Sequence, residues 1–316
     1  MLIAGVRPQV RGGQVGPRGL SRQARSTIAG YAFISPVIIG LLMFTVLPMF
    51  LSLYYSFTSY DILSPPKWVG IANYRQLFAD PSFLNSLKVT VIYAAISVPT
   101  SLVLGLLIAL MLNQRVPGMR LFRTLIYLPA VIPAVAAAEL WYQMFSPSSY
   151  GVVNTILMDA HIISKPFPFL ARPSTALISV VLISLWGAGS NMVVWLAGLQ
   201  SIPNYLYEAA KVDGARLWTR FWRITIPMLT PTIFFNLVLG VIGALQIFVQ
   251  ALVLGGPTGA PLGALDFVTV FVYRVGFQYF TMGYASAAAW VLFILILVVT
   301  LLLFRFGRKH VVYERV

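Results

Sequence analysis

The stretch Leu87–Leu112 reads LKVTVIYAAISVPTSLVLGLLIALML, and its only charged residue, Lys88, stands near its start. A helix needs about 20 mostly apolar residues to cross the hydrocarbon of a bilayer, and this stretch exceeds that length. Over the whole chain 59% of the residues are hydrophobic and 9% are charged, whereas soluble domains carry about 25% charged residues. The sequence therefore predicts an all-α integral membrane protein.

Five further runs share this length and apolar character. Together with the quoted stretch they give six expected transmembrane helices, which are Tyr31–Phe57, Leu87–Leu112, Leu125–Phe145, Thr175–Leu199, Met228–Leu254 and Ala285–Phe306. The first run is too long for the core of a signal peptide and is interpreted as a retained helix. We expect one transmembrane domain over residues 28–307, between a flexible basic tail at 1–27 and a cytoplasmic tail at 308–316.

The basic residues predict the orientation, since cytoplasmic loops carry an excess of Lys and Arg. Sixteen of the 22 lie on one side of the expected spans: Arg7, Arg11, Arg18, Arg22, Arg25, Arg115, Arg120, Arg123, Lys211, Arg216, Arg220, Arg223, Arg305, Arg308, Lys309 and Arg315. That side should be cytoplasmic, so we expect a multi-pass protein of the cytoplasmic (inner) membrane with both termini inside. The net charge of +14 is then a topological signal, and no nucleic-acid partner is expected.

Several kinds of chemistry are not expected. The chain has no cysteine and two histidines, His161 and His310, that are far apart. These residues offer no disulfide framework, thiol nucleophile or thiolate metal site. A G-x-x-x-x-G-K-[ST] phosphate loop is absent from the sequence as well. We expect no catalytic residues, no metal, no cofactor and no enzymatic activity.

The link between the fourth and fifth runs, residues 201–227, reads SIPNYLYEAAKVDGARLWTRFWRITIP. Ser201 is a candidate cap and Pro203 suits the first turn of a helix. Gly214 can take a positive φ and end that helix in a sharp turn. A second helix is expected over Ala215–Arg223. The sequence thus predicts a helix–turn–helix elbow along the cytoplasmic face.

Two interpretations of this elbow remain open on physical grounds. A short, rigid, partly apolar element that carries Glu208 and Asp213 can dock into a groove on a partner protein. The basic and aromatic residues of the same link would also suit an amphipathic helix that rests among lipid headgroups.

The order of residues in the elbow resembles a known loop. Along the link stand Glu208-Ala209-Ala210, Asp213-Gly214-Ala215, Phe221 and Ile224-Thr225-Ile226-Pro227. This order is similar to the "EAA" loop of binding-protein-dependent ABC importer permeases, especially the carbohydrate type related to the maltose and glycerol-phosphate systems. Other matching stretches follow in family order: Ser56-Phe57-Thr58, Trp68–Tyr74, Phe122-Arg123-Thr124, Leu128-Pro129, Leu196–Gln200, Gly255-Gly256-Pro257 and Gly283–Ala287.

The resemblance implies the six-helix type I ABC importer permease fold and assigns roles within it. Glu208 would be the charged contact to a separate ATPase, Ala209 and Ala210 would permit close approach, and Gly214 would set the turn after Asp213. Pro227 would begin the return to the membrane. The implied partners are an ATPase dimer, a second homologous permease, an extracytoplasmic solute-binding protein, membrane lipid and a sugar-like solute. Alternating access would be driven by ATP hydrolysis in the ATPase subunit.

One departure from the family limits what can be transferred to the solute pocket. The family often has a threonine before its Gly-Gly-Pro, where this chain reads Leu252-Val253-Leu254-Gly255. The candidates for solute contact therefore rest on residue chemistry alone, and they are Trp186, Asn191, Trp195, Asn236, Gln246 and Gln250. Gln246 and Gln250, four residues apart, should share a helix face. The alternative role for all six is hydrogen bonding or packing between helices.

Other readings of the chain remain open. Glu139 is the one acid inside an expected span, and it is either functional or solvated at the interface. Trp68–Tyr74 and Gly255–Leu262 are candidates for docking the binding protein, with ordinary loop packing as the alternative. The rival functions are a secondary transporter, which needs ion-coupling residues, and a channel or passive scaffold.

The orientation is testable with reporter tags. Tags at Gly16 and Arg308 should both report the cytoplasm, and a tag at Ser148 should report the outside, because the basic excess lies beside the first two positions. Protease or dye accessibility in intact cells measures this, and a Gly16 tag reached from outside would contradict the orientation.

Overall fold

The computed structural model describes residues 22–114, 116–148 and 151–310. The chain divides into two compact units, Met1–Leu51 and Ser52–Val316. The tail expected at 1–27 overlaps a helix that begins at Arg22. The rest of that tail and residues 311–316 lie outside the described residues.

The first unit contains helix α1, Arg22–Leu41, followed by a single π-helical turn at Leu42–Val46. Helix α2, Leu47–Ser56, continues the same run into the second unit. Pro48 has no N–H to donate to the preceding turn, which is a usual cause of a local change in helix geometry. The run Ser26–Ser56 is long and apolar enough to cross a membrane.

The second unit begins with a small antiparallel hairpin and continues with helices. Its first half holds β1 Thr58–Ser59, β2 Lys67–Trp68, α3 Ala72–Ala79, α4 Pro81–Leu112, α5 Met119–Tyr127, a 3-10 turn Leu128–Val131, α6 Ala134–Met144, α7 Val152–Asp159 and α8 Pro173–Trp186. Its second half holds a 3-10 turn Gly187–Asn191, α9 Met192–Gln200, α10 Asn204–Val212, α11 Leu217–Arg220, a π turn Phe221–Thr225, α12 Ile226–Met228, α13 Thr230–Leu245, α14 Val249–Gly255, α15 Val268–Tyr273, a π turn Arg274–Gln278 and α16 Met282–His310.

Four to six membrane spans are present among the described residues, where the sequence predicts six. Four runs are long and apolar enough to cross: Ser26–Ser56, Pro81–Leu112, Pro173–Gln200 and Met282–Gly307. Two bent helix pairs complete six spans if each pair counts as one: Met119–Val131 with Ala134–Met144, bent by 98°, and Leu217–Met228 with Thr230–Leu245, bent by 63°. The predicted all-α membrane fold is confirmed.

Helix α4 forms the axis of the second unit. At a rise of about 1.5 Å per residue its length is roughly 48 Å, and it packs against α8, α9, α13 and α15. At its first end, Phe83 joins a buried cluster with Phe271 of α15. At its last end, Ala109 joins a different cluster with Trp195 and Leu229. The elbow therefore lies at the Ala109 end of the unit.

A buried ion pair holds the opposite end together. The Arg274 guanidinium donates to both carboxylate oxygens of Asp266, each at 2.9 Å, and to the Pro257 carbonyl at 2.7 Å. A further contact of 3.3 Å reaches the Ser82 hydroxyl at the start of α4. The side chains of Arg274 and Asp266 are 8% and 5% exposed. A buried charge is tolerated when it is paired and hydrogen-bonded in this way.

A close approach at Gly283 gives a stability prediction. A Cβ on Gly283 would collide with the backbone carbonyl of Thr58. The N–H of Gly283 donates to the Tyr60 carbonyl at 3.1 Å, which holds the two segments close together. Gly283→Ala should lower the free energy of unfolding by about 1–3 kcal/mol, because the backbone cannot yield like a side chain. Thermal unfolding of the purified protein in detergent measures this.

Gly187→Ala is the matched control, because a Cβ there meets nothing within 4 Å. Equal unfolding midpoints for the two variants would contradict the close contact between Gly283 and Thr58.

Candidate functional site

A polar cavity of about 340 Å³ lies beside the middle of α4. Helix α4 contributes Tyr93, Ser97 and Ser101, and the space is bounded opposite by Gly240 and Gly243 of α13. Since residues 93–101 lie halfway along a spanning helix, the cavity lies at the depth of the hydrocarbon core. Polar groups at that depth favour a solute path or a hydrogen-bonded helix contact.

Two interruptions of the helices contribute the amides of this cavity. Asn191 ends the 3-10 turn between α8 and α9, and Gln250 is the second residue of α14, just after the break that follows α13. Both side chains line the cavity together with Ser184. The Tyr93 hydroxyl lies beside the hydroxyls of Ser97 and Ser184. The result is a set of hydroxyl and amide groups around one space, which suits a polyhydroxylated solute.

Gln246 does not line this cavity, and the prediction that it shares a helix face with Gln250 is wrong. Helix α13 ends at Leu245, and α14 begins only at Val249. The break rotates Gln246 towards a different, mostly apolar cavity beside Tyr273. The four-residue rule applies within one continuous helix, and this segment is not one.

The structure also places three other predicted contacts away from the polar cavity. Trp186 packs edge-to-face on Trp141, with ring centroids 5.7 Å apart. Trp195 is buried at the elbow end against Gly105. The Asn236 amide is buried and donates to the Thr232 carbonyl at 2.8 Å within its own helix. Of the six candidates, Asn191 and Gln250 are the two that the structure brings together.

Sequence reasoning missed the hydroxyl groups of α4. Tyr93, Ser97 and Ser101 are spaced by four residues and therefore share one helix face. That spacing is visible in the sequence, and a search for polar residues at helical intervals would have found it. Glu139, by contrast, is exposed on α6 and accepts a hydrogen bond from Gln143 at 3.1 Å.

The elbow contains the expected helix and turn. Helix α10 runs over Asn204–Val212, and Gly214 adopts φ +73° as expected. The turn is closed by hydrogen bonds from the Gly214 N–H to the Lys211 carbonyl, 3.0 Å, and from the Ala215 N–H to the Ala210 carbonyl, 2.8 Å. Glycine is favoured here because the Cβ of any other residue clashes with the backbone in the left-handed conformation, and glycine has no Cβ.

Other details of the elbow differ from the sequence prediction. Ser201 does not cap α10, because its hydroxyl donates back to the Gly198 carbonyl at 2.9 Å and Pro203 occupies the cap position. The second arm begins at Leu217 rather than Ala215 and continues to Met228. Pro227 therefore lies inside this arm, and the chain bends at Leu229, just before α13.

The two faces of α10 have different environments. Leu206 and Tyr207 pack onto the cluster that contains Trp195 and Leu229, and the Tyr207 and Thr225 hydroxyls lie 2.9 Å apart. On the other side Glu208 and its neighbours are exposed: Glu208, Ala209, Lys211, Val212 and Asp213. One face of α10 thus fixes the elbow to the membrane helices, and the other face is exposed.

The chain is similar to known transport proteins. Residues 101–311 match the family model described as the binding-protein-dependent transport system inner membrane component. The probable ABC transporter permease protein YesP of Bacillus subtilis is 44% identical over 292 residues, which cover 92% of this chain and 94% of that protein. The lactose transport system permease protein LacF of Rhizobium radiobacter is 34% identical, over 90% of this chain and 95% of its own.

A solved structure has the same fold. It is a bacterial ABC transporter involved in the import of the acidic polysaccharide alginate, and the similarity has a TM-score of 0.80 at 29% identity. The aligned region covers 91% of this chain and 98% of the other. With its helical spans, its EAA-type elbow and a family match over most of its length, this chain belongs to the inner-membrane permease components of binding-protein-dependent ABC transport systems.

Proposed function

We propose that this chain is the permease subunit through which a sugar or a similar small polar solute enters the cytoplasm by alternating access. The observation that carries the proposal is the polar cavity at the middle of α4, where hydroxyl and amide side chains from several segments surround one space. The sugar class is supported by the chemistry of Asn191 and Gln250 at that cavity. It is also supported by relatives named for lactose and for trehalose and maltose transport.

The second part of the proposal concerns coupling. A separate ATPase docks on the exposed face of α10, with Glu208 as the charged contact and Ala209 as the point of close approach. Closure of the ATPase dimer can shift the equilibrium between the inward- and outward-facing states of the permease only by the difference in its binding free energy for the two states. The exposed face of α10 is the surface where that difference arises. A second permease and an extracytoplasmic binding protein complete the assembly, and a solved alginate transporter was obtained with a periplasmic protein bound.

A secondary transporter is less well supported by the described residues. Ion coupling needs ionisable groups within the spans. Glu139 lies exposed on α6, and Asp266 is paired with Arg274. A headgroup-bound role for the elbow explains the exposed Leu217, Trp218 and Trp222 of its second arm, but it leaves the exposed carboxylate of Glu208 without a role.

The docking role of Glu208 is tested by charge reversal. Truncating one partner of a desolvated charge pair costs roughly 2–5 kcal/mol, and Glu208→Lys adds repulsion if the partner is basic. Co-purification of the ATPase and solute-stimulated ATP hydrolysis in proteoliposomes should therefore fall at least tenfold, about 1.4 kcal/mol, while the protein still inserts.

Asp159→Lys is the matched control, because Asp159 is exposed on α7, away from the elbow. If α10 served only to bind lipid, an added lysine would be neutral or would strengthen attachment to anionic headgroups. Undiminished stimulated hydrolysis in Glu208→Lys would reject docking.

The solute role of the polar cavity is tested with two glutamines. Gln250→Leu removes an amide from the cavity and should lower solute uptake at least tenfold, the effect of leaving buried polar partners unpaired. Assembly with the ATPase and basal ATP hydrolysis should persist. Gln246→Leu is the control of identical chemistry, since Gln246 lines the apolar cavity instead. Equal uptake by the two variants would assign Gln250 to helix packing.

A further inference from the structure

A second polar cavity lies at the end of the unit opposite the elbow. It measures about 490 Å³, within the range of about 300–1,000 Å³ that is typical of small-molecule sites. One wall comes from the segment after β1 and from α3, and the other comes from the segment between α15 and α16. We call it the distal cleft and define it by six lining residues: Tyr60, Asp61, Gln76, Asp80, Tyr279 and Tyr284.

The lining of the distal cleft combines rings with hydrogen-bonding groups. Tyr279 is 62% exposed, so its ring is accessible from the cleft. Tyr60 is held by stacking on Tyr55, with ring centroids 4.6 Å apart. Gln76 presents an exposed amide on α3. Saccharide rings offer hydroxyls at their edges and a C–H face, and aromatic rings beside amides and carboxylates complement both.

The charges of the distal cleft select between solutes. Among the described lining residues Arg274 is the one cation, and its guanidinium is already engaged by Asp266 and by the Pro257 carbonyl. Asp61 and Asp80 therefore leave the lining negative. A carboxylate or phosphate on a solute would meet like charge there, whereas a neutral saccharide would find acceptors for its hydroxyls.

Strained backbone borders the cleft on both walls. Ile62, directly after Asp61, has φ +71°, and Phe280, directly after Tyr279, has φ +56°. A positive φ is uncommon outside glycine and is an outlier for a β-branched residue. Such strain persists only where surrounding contacts impose it, and it concentrates at ligand sites.

Local hydrogen bonds impose both turns. The Ser64 N–H donates to Asp61 Oδ1 at 2.8 Å, and the Thr281 N–H donates to the Val275 carbonyl at 3.1 Å. On the floor of the cleft, the Tyr284 hydroxyl donates to Asp80 Oδ2 at 3.0 Å. Asp61, Asp80 and Tyr284 are thus positioned before any ligand arrives, which lowers the entropic cost of binding.

From this geometry we propose that the distal cleft binds one ring of a neutral saccharide and disfavours anionic sugars. The proposal rests on the proposed function for its solute class. The cleft would hold the solute at the extracytoplasmic entrance, before it reaches the polar cavity beside α4. It adds a selection step based on charge, which the uncharged groups around Asn191 and Gln250 do not provide.

The test is saturation-transfer NMR on the full-length chain in detergent, without ATPase or ATP. The probes are lactose and lactobionate, a neutral disaccharide and its carboxylate analogue. Gln250→Leu serves as the background, so that the polar cavity beside α4 does not dominate the signal. Lactose should bind, and Tyr279→Ala and Gln76→Ala should each weaken it about fivefold, the effect of one lost hydrogen bond or stacking contact. Gln278→Ala is the control, because Gln278 is exposed nearby but does not line the cleft.

Charge selection has its own pair of variants. Lactobionate should bind about tenfold more weakly than lactose. Asp61→Asn should recover most of that difference, and Asp159→Asn, which removes the same charge elsewhere, should not.

Absence of lactose binding, equal binding of both probes, or equal lactose binding by the Tyr279→Ala and Gln278→Ala variants would overturn the proposal. Since neither ATPase nor transport enters the measurement, those outcomes leave the effect of Glu208→Lys on stimulated ATP hydrolysis and the effect of Gln250→Leu on uptake unaffected. Conversely, lactose binding at the cleft together with undiminished stimulated hydrolysis in Glu208→Lys and undiminished uptake in Gln250→Leu would reject the proposed function alone.

Discussion

Within a bilayer the backbone N–H and C=O groups of this chain meet no water, so each must find a partner inside the fold. Continuous helices meet this requirement within a single segment, and α4 and α16 do so over the full thickness of the membrane. The backbone N–H and C=O groups of both helices bond within the helix itself, except around Pro99 in α4, where proline lacks the N–H donor. The packing of the other helices against α4 then determines where polar side chains can be placed.

The breaks in the other membrane helices are informative for the same reason. Non-helical backbone at membrane depth is tolerated where it is buried in protein or lines a cavity. Two interruptions, at Gly187–Asn191 and between Leu245 and Val249, converge on the polar cavity beside α4. The Thr269 hydroxyl satisfies the freed carbonyl of Ile247 in the second break. The amides of Asn191 and Gln250 thus reach the cavity because the helices that carry them are broken.

The elbow and the distal cleft lie at the two ends of the same rigid axis. At one end, Tyr207 and Thr225 join the two arms of the elbow, and both arms pack on the cluster around Leu229. At the other end, the pair of Arg274 and Asp266 ties the loop before α15 to the start of α4. Under the proposed function, a displacement of α10 is passed to α4 and α13 through close packing, because packed interiors transmit strain.

The amino-acid sequence alone was enough to predict the membrane class, the six apolar segments, the elbow with its left-handed Gly214 and the family. The first three follow from hydropathy, helix propensity and glycine chemistry, which are properties of single segments, whereas the family follows from the resemblance of the ordered motifs to the EAA loop and its companions. Tertiary structure alone decided that Gln246 and Gln250 face different cavities, that Trp195 is buried at the elbow, that Pro227 precedes the bend rather than forming it, and that Arg274 and Asp266 pair. Each of these depends on where one helix ends against another, and therefore on packing between segments that are distant along the chain.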